Sequence, residues 1–297
     1  MKKFVLCAMV LYSCGALAAD LHVPEDIIGA QTVAIVNLNV SSIKPDQLVK
    51  TMTDIMGKAP EAGQADQLKD FLGKFTGAGG KSISIVANGS KDTNAVKSGD
   101  TAVVVIELAE GADVAKFTEF ANTALGFLKE GSAPECPKAF GNKMVYYSKN
   151  FKLPAKSKER ADTFSVAHGE VAEDQLLSVV FVPDDSVTDT TKQNLKPEDA
   201  EVVNAIIGGG GVCLFSNFGV SDAPTLKLLV LAADAKGAEA INKAVETGLA
   251  ALKKDAPPQL KTLLDGLKLA QAGTNVQATI NIIEWAKIGV ELSGVKP

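Results

Sequence analysis

Residues 212–252 read VCLFSNFGVSDAPTLKLLVLAADAKGAEAINKAVETGLAAL, and their periodicity decides the fold. Val212–Asn217 and Leu226–Ala232 are apolar runs of strand length separated by a polar turn. Over Gly237–Leu252 the period changes. Ala238, Ile241, Val245, Leu249 and Leu252 recur every three or four residues, which predicts a helix with one apolar stripe. The unit is strand, turn, strand, helix.

The same order stands earlier in the chain. Ser82–Ala87 and Thr101–Leu108 predict strands around a polar loop. Residues 112–129 predict a helix with Val114, Phe117, Ala121, Leu125 and Leu128 on one face. Thr32–Val40 alternates Ala34, Val36, Leu38 and Val40 against Asn37 and Asn39, the pattern of a half-buried strand. Pro45-Asp46 opens a helix striped by Leu48, Val49, Met52, Ile55 and Met56, and a second helix follows over Gln64–Phe75. Met144–Ser148, Leu176–Val182 and Gln277–Ile283 complete the expected strands, and Pro197–Ile207 reads as a helix with proline at its favoured first position. One polar face on several strands suits mostly antiparallel sheets with helices packed on one face. The expected class is α+β in two structurally similar halves, residues 20–149 and 162–297, linked by the charged stretch Lys149–Asp162.

The N-terminus carries its own signal. Met1-Lys2-Lys3 is basic, Phe4–Tyr12 is apolar, and Gly15-Ala16-Leu17-Ala18 places small residues where a signal peptidase cuts. Residues 1–18 are therefore expected to be an export leader cleaved near Ala18, which implies a periplasmic or secreted protein. The apolar run is far short of the ~20 residues of a membrane-spanning helix. Leu11-Tyr12-Ser13-Cys14-Gly15 is similar to a bacterial lipobox, but Tyr12 stands where a small residue is usual, so plain cleavage is favoured over a lipid anchor on Cys14. A signal peptide followed by duplicated α+β halves resembles exported bacterial proteins of unknown function. That resemblance is one of layout, and it carries over no functional residue.

Composition excludes one class of partner. Without Lys2 and Lys3 the chain has 28 basic residues against 35 acidic, a charge of −7. Nucleic-acid binding needs a basic face to displace counterions, and no lysine-rich block is present.

Several motifs are read as structure. Gly73–Ser82 ends in Gly-Lys-Ser, but Phe75 occupies the position of the first glycine of a phosphate loop, and the segment runs from helix to strand, the wrong polarity. It is expected to be a helix stop. Gly208–Gly211 is expected to terminate a helix in the same way. Ser41-Ser42-Ile43-Lys44 and Lys97-Ser98-Gly99 match fragments of penicillin-recognising serine enzymes, yet Pro45 disfavours the helix that would bring Lys44 beside a serine. Asp184, Asp185 and Asp189 lack the spacing of a calcium loop.

The remaining candidates are His168, at the end of an expected strand, with Glu170 and Glu173 close by, while His22 is expected to be mobile beside the new N-terminus. Cys136, in a polar loop, and Cys213, in an apolar run, are the cysteines left outside the leader. They could form one disulfide, or Cys213 could serve as a small hydrophobe. Trp285, Ile288 and Leu292 stripe a C-terminal helix, as core packing or as an interaction face. No catalytic set, metal set or cofactor is expected. The favoured function is a non-enzymatic binding or scaffold module of the cell envelope, with an envelope protein or a second copy as partner. The alternative is a hydrolase or small-ligand-binding protein whose acidic site forms only in three dimensions.

Overall fold

A computed structural model describes residues 21–58, 62–89, 101–124, 135–147, 151–169, 175–183 and 200–293. Ten strands form one antiparallel sheet: β1 (Thr32–Leu38), β2 (Gly80–Asn88), β3 (Ala102–Leu108), β4 (Glu135–Phe140), β5 (Lys143–Tyr147), β6 (Leu177–Phe181), β7 (Gly211–Ser216), β8 (Thr225–Leu231), β9 (Lys268–Ala272) and β10 (Asn275–Asn281). Among the described residues eight helices accompany it: α1 (Pro45–Met56), α2 (Ala62–Gly77), α3 (Val114–Ala124), α4 (Lys158–Gly169), α5 (Ala200–Gly208), α6 (Ala235–Asp255), α7 (Pro258–Gly266) and α8 (Ile282–Ser293). The class is α+β.

The sheet grows outward from β1 and β6, which pair antiparallel with Val36 opposite Val179. On one side follow β2, β3, β5 and β4; on the other follow β7, β8, β10 and β9. Both sides thus share one connectivity, each closing with a hairpin whose first strand lies at the sheet edge.

Burial is organised by the period of two along each strand. Leu38, Ile83, Val104, Ile106 and Met144 face one way and meet Leu72 and Phe75 of α2 and Phe117 of α3. Phe75 and Phe117 are fully buried and touch edge to face at 5.7 Å. The same side of the other half packs Val230 and Val276 against α5 and α6 through Ala205, Ala238 and Ile241. The opposite sheet face carries Ile35, Val86, Val103, Val180 and Cys213, covered by α4 and by the segment Leu21–Ile28. Phe151 and Ala161, within the stretch 149–162 expected to link the halves, are buried in that shared core.

The glycine-rich segment 73–82 is a helix stop. Gly79 has φ +96°, and a Cβ on Gly80 would lie 2.5 Å from the Phe75 ring. Ser41 and Lys44 also fit the structural reading: Ser41 lies in a 3-10 turn and Lys44 is extended (φ −96°, ψ 103°) ahead of α1, so the two share no helix.

Four elements differ from the sequence expectation. Residues 164–168 were expected to be strand but complete α4, because Ala161, Phe164 and Ala167–His168 are buried at helical spacing. Cys136 lies in strand β4 and not in a loop. β9 and α7 were not anticipated: four of the five β9 residues are exposed, so it carries no core-facing alternation.

Candidate functional site

Glu107 interrupts the apolar run of β3, with Val103, Val105, Ile106 and Leu108 around it buried. Its side chain points to the face covered by α4 and is only 4% exposed. A carboxylate removed from water needs compensating donors, and two separate segments supply three of them: β2 and the N-terminal stretch 21–28. Lys81 Nζ donates to Oε1 at 2.9 Å, Ser82 Oγ donates to Oε2 at 3.1 Å, and His22 Nδ1 donates to Oε2 at 2.7 Å. Burial pushes this carboxyl up, but the hydrogen bonds from His22 and Lys81 outweigh that and hold it at about 2.

His22 is not a mobile terminal residue. Leu21, Val23, Ile27 and Ile28 around it are buried, and Glu107 holds its ring. Its φ is +57°, the one non-glycine value in the left-handed region among the described residues. Such a backbone persists only where its surroundings over-determine it, and the buried flanks and the ion pair do so here.

His168 meets it from the other side. It ends α4, is 8% exposed, and sets its ring edge-on to His22 with centroids 5.7 Å apart. Both histidines of the chain therefore meet above β3. A polar row continues beneath them on the same sheet face. Asn37 Nδ2 donates to Ser84 Oγ at 2.8 Å, and Ser178 stands opposite Asn37 in the β1–β6 register; all three are buried. A cavity of about 440 Å³ opens beside the N-terminal segment, walled by Leu21, Val23, Phe140, Ala161 and Ser165.

Glu107 itself is locked as an anion. A general acid or base works best with a pKa near the operating pH. Glu107, held at about 2 by its donors, is a fixed anion at neutral pH and an anchor for the N-terminal segment. Among the described residues no group of three or more His, Cys, Asp or Glu side chains is placed to hold a metal ion.

The other sequence candidates fall elsewhere. Glu170 and Glu173, expected near His168, lie outside the described residues, as do Cys14, Lys97–Gly99, Asp184, Asp185 and Asp189. Cys213 is buried in β7 with its Sγ 3.5 Å from the Ala167 carbonyl oxygen. The strand order sets β4, which carries Cys136, six places from β7. At strand spacing that is about 29 Å, against the roughly 7 Å limit for two bridged Cα atoms.

On the opposite sheet face a groove of about 710 Å³ runs between α7, α8 and the ends of β8, β9 and β10. Leu263, Ile280, Trp285 and Ile288 give it apolar walls, and Lys268, Glu284 and Lys287 add charge. Asn281 positions this wall: its Oδ1 accepts from the backbone N–H of Ile283 and Glu284 and so caps α8. Trp285, half-buried, is the chain's sole tryptophan. The stripe at Trp285 and Ile288 was visible in sequence; its facing wall on α7 was not.

Comparison with protein-family models, with curated proteins and with solved structures finds no match to this chain.

Proposed function

We propose that this chain is an exported, non-enzymatic binding or scaffold module of the cell envelope, released from its leader near Ala18 and acting through a surface. The observation that carries the reading is the groove walled by Trp285, Ile288, Leu263 and Ile280. Its volume lies in the range of ligand and peptide sites, and tryptophan contributes more than most residues where partners bind. The basic start, apolar run and small residues of 1–18 support export. The interior cluster supports a structural role, since Glu107 is fixed as an anion by three donors. The shared connectivity about the β1–β6 pair supports an origin by duplication of one half.

The test is gentle purification of the protein from its own envelope fraction, followed by native mass. A stoichiometric second protein held by the wild type and lost from Trp285→Ala supports the reading. A partner that survives Trp285→Ala, or a lone chain in which hydrolytic activity disappears with Glu170→Gln or Glu173→Gln, replaces it.

A further inference from the structure

The two edges of the sheet are built differently. β4, one edge strand, contains Pro137, which has no amide hydrogen, then the exposed Lys138, and its pairing with β5 breaks register between Glu135 and Lys138. Proline, lysine and a bulge are the devices that stop an edge from accepting another strand. β9, the other edge, has none of them except a lysine at its first position. Its five residues, Lys268-Leu269-Ala270-Gln271-Ala272, pair with β10 in unbroken register, and Ala270, Gln271 and Ala272 are exposed. Among the described residues no strand pairs with its outer side.

The register shows which groups face outward. Ala272 pairs with Asn275 across the two-residue turn Gly273-Thr274. In such a hairpin the pair flanking the turn exchanges both hydrogen bonds, and bonded pairs then alternate along the strand. Ala272, Ala270 and Lys268 therefore turn their backbone groups toward β10, leaving those of Leu269 and Gln271 on the free side.

We propose that β9 is a self-association edge, on which a second copy of this chain pairs antiparallel through its own β9 and extends the sheet across a two-fold axis at Ala270. The sequence of β9 is compatible with itself in this register. Leu269 meets Gln271 of the second copy, twice by symmetry, which pairs the outward backbone groups in two bonded pairs. Lys268 meets Ala272 of the second copy, so no like charges oppose one another. Ala270 meets its own equivalent with only methyl groups at the closest approach. Five residues a side bury less than the roughly 1,000 Å² of a stable interface, so the dimer forms only as concentration rises. This inference is independent of the groove reading, because Trp285 takes no part in it.

Sedimentation of the purified full chain over a hundredfold range of concentration tests it. The expected result is a mass rising toward twice the monomer's, abolished by Gln271→Pro, which removes an outward amide but none donated to β10. Ala270→Lys is a second variant on an exposed site, placing two like charges face to face; it too is expected to remain monomeric. Ala270→Cys reads the register directly. Its two Cα atoms would lie about 4.5 Å apart, within disulfide reach, so oxidation yields a covalent dimer. Gln271→Cys, about 8 Å from its equivalent, does not cross-link. A wild type that stays monomeric at every concentration, even one that recruits a different protein, overturns the proposal. So does dimerisation indifferent to Gln271→Pro and Ala270→Lys.

Discussion

Arg160 Nε donates to the backbone carbonyl of Thr32 at 2.7 Å, linking α4 to the first residue of β1. The same guanidinium donates to the carbonyls of Val182 and Pro183, just past the end of β6. The sole arginine of the chain thus spans the central β1–β6 seam, and its Cζ lies over the Phe164 ring, 5.5 Å from the centroid.

Arginine is required there because its planar fork reaches three acceptors at fixed angles, which an ammonium cannot reproduce. Arg160→Lys is expected to cost about 2 kcal/mol, the scale of losing hydrogen bonds from a charged donor. Urea unfolding should show a lower midpoint with an unchanged slope. Exchange of the Val182 amide, bonded to Val33 O at 2.8 Å, should accelerate more than that of amides in β8. Equal stability in the lysine variant would remove the seam role.

Glu107 sets the acid limit of stability. Its carboxyl falls from the ordinary 4.5 to about 2 on folding. Between those values the unfolded chain binds the proton more readily, so the contribution is complete above pH 4.5 and is lost as pH falls through about 2. The linked free energy is roughly 3 kcal/mol. Glu107→Gln should therefore lower stability at neutral pH and flatten the decline between pH 4.5 and 2, measured by denaturation across that window. An acid limb of the same steepness in both proteins would place the effect on other carboxylates.

Tyr146 sets a corresponding alkaline limb. Desolvation of its phenol raises it from 10 to about 12. The neutral form is the one the fold favours, so stability is complete below pH 10 and declines as pH climbs toward 12. Spectrophotometric titration should resolve a late-ionising tyrosine, and Tyr146→Phe should remove both that transition and the alkaline decline.

How much of this was legible in sequence follows from where each residue is buried. β3 and β7 carry apolar runs because residues on both sheet faces are buried or half-buried along them, whereas Ile85 of β2 and Leu228 of β8 stay exposed, and α6 shows a clear stripe because one side packs on β10. β4 and β9 are edge strands; Lys138 and Ala139 of β4 and four of the five β9 residues are exposed, so no apolar alternation marks them. Lys158, Glu159 and Arg160 made the start of α4 look like a charged linker, although Arg160 turns inward to the seam carbonyls. The site had one readable sign, a single carboxylate inside Val103–Leu108, since a charge in an apolar strand demands partners. Nothing local to His22 or His168 identifies either as belonging to that cluster. Their meeting depends on chain paths set by α4 and the 21–28 segment.

Two glycines separate backbone need from mere tolerance. Gly211 begins β7 with φ +129°, and a Cβ there would lie 2.1 Å from the carbonyl oxygen of Phe181 in the neighbouring strand. Gly211→Ala must therefore push β6 and β7 apart at the centre of the sheet while adopting a conformation alanine resists, and a loss of about 3 kcal/mol or more is expected. Gly248 lies in α6, exposed, with nothing within 4 Å of a Cβ. Gly248→Ala gains helix propensity without a clash, and a stabilisation of about 1 kcal/mol is expected. Thermal unfolding of the two variants should move in opposite directions. If Gly211→Ala were as stable as the wild type, β6 and β7 could not lie as close as the register from Val212–Phe181 to Ser216–Leu177 requires.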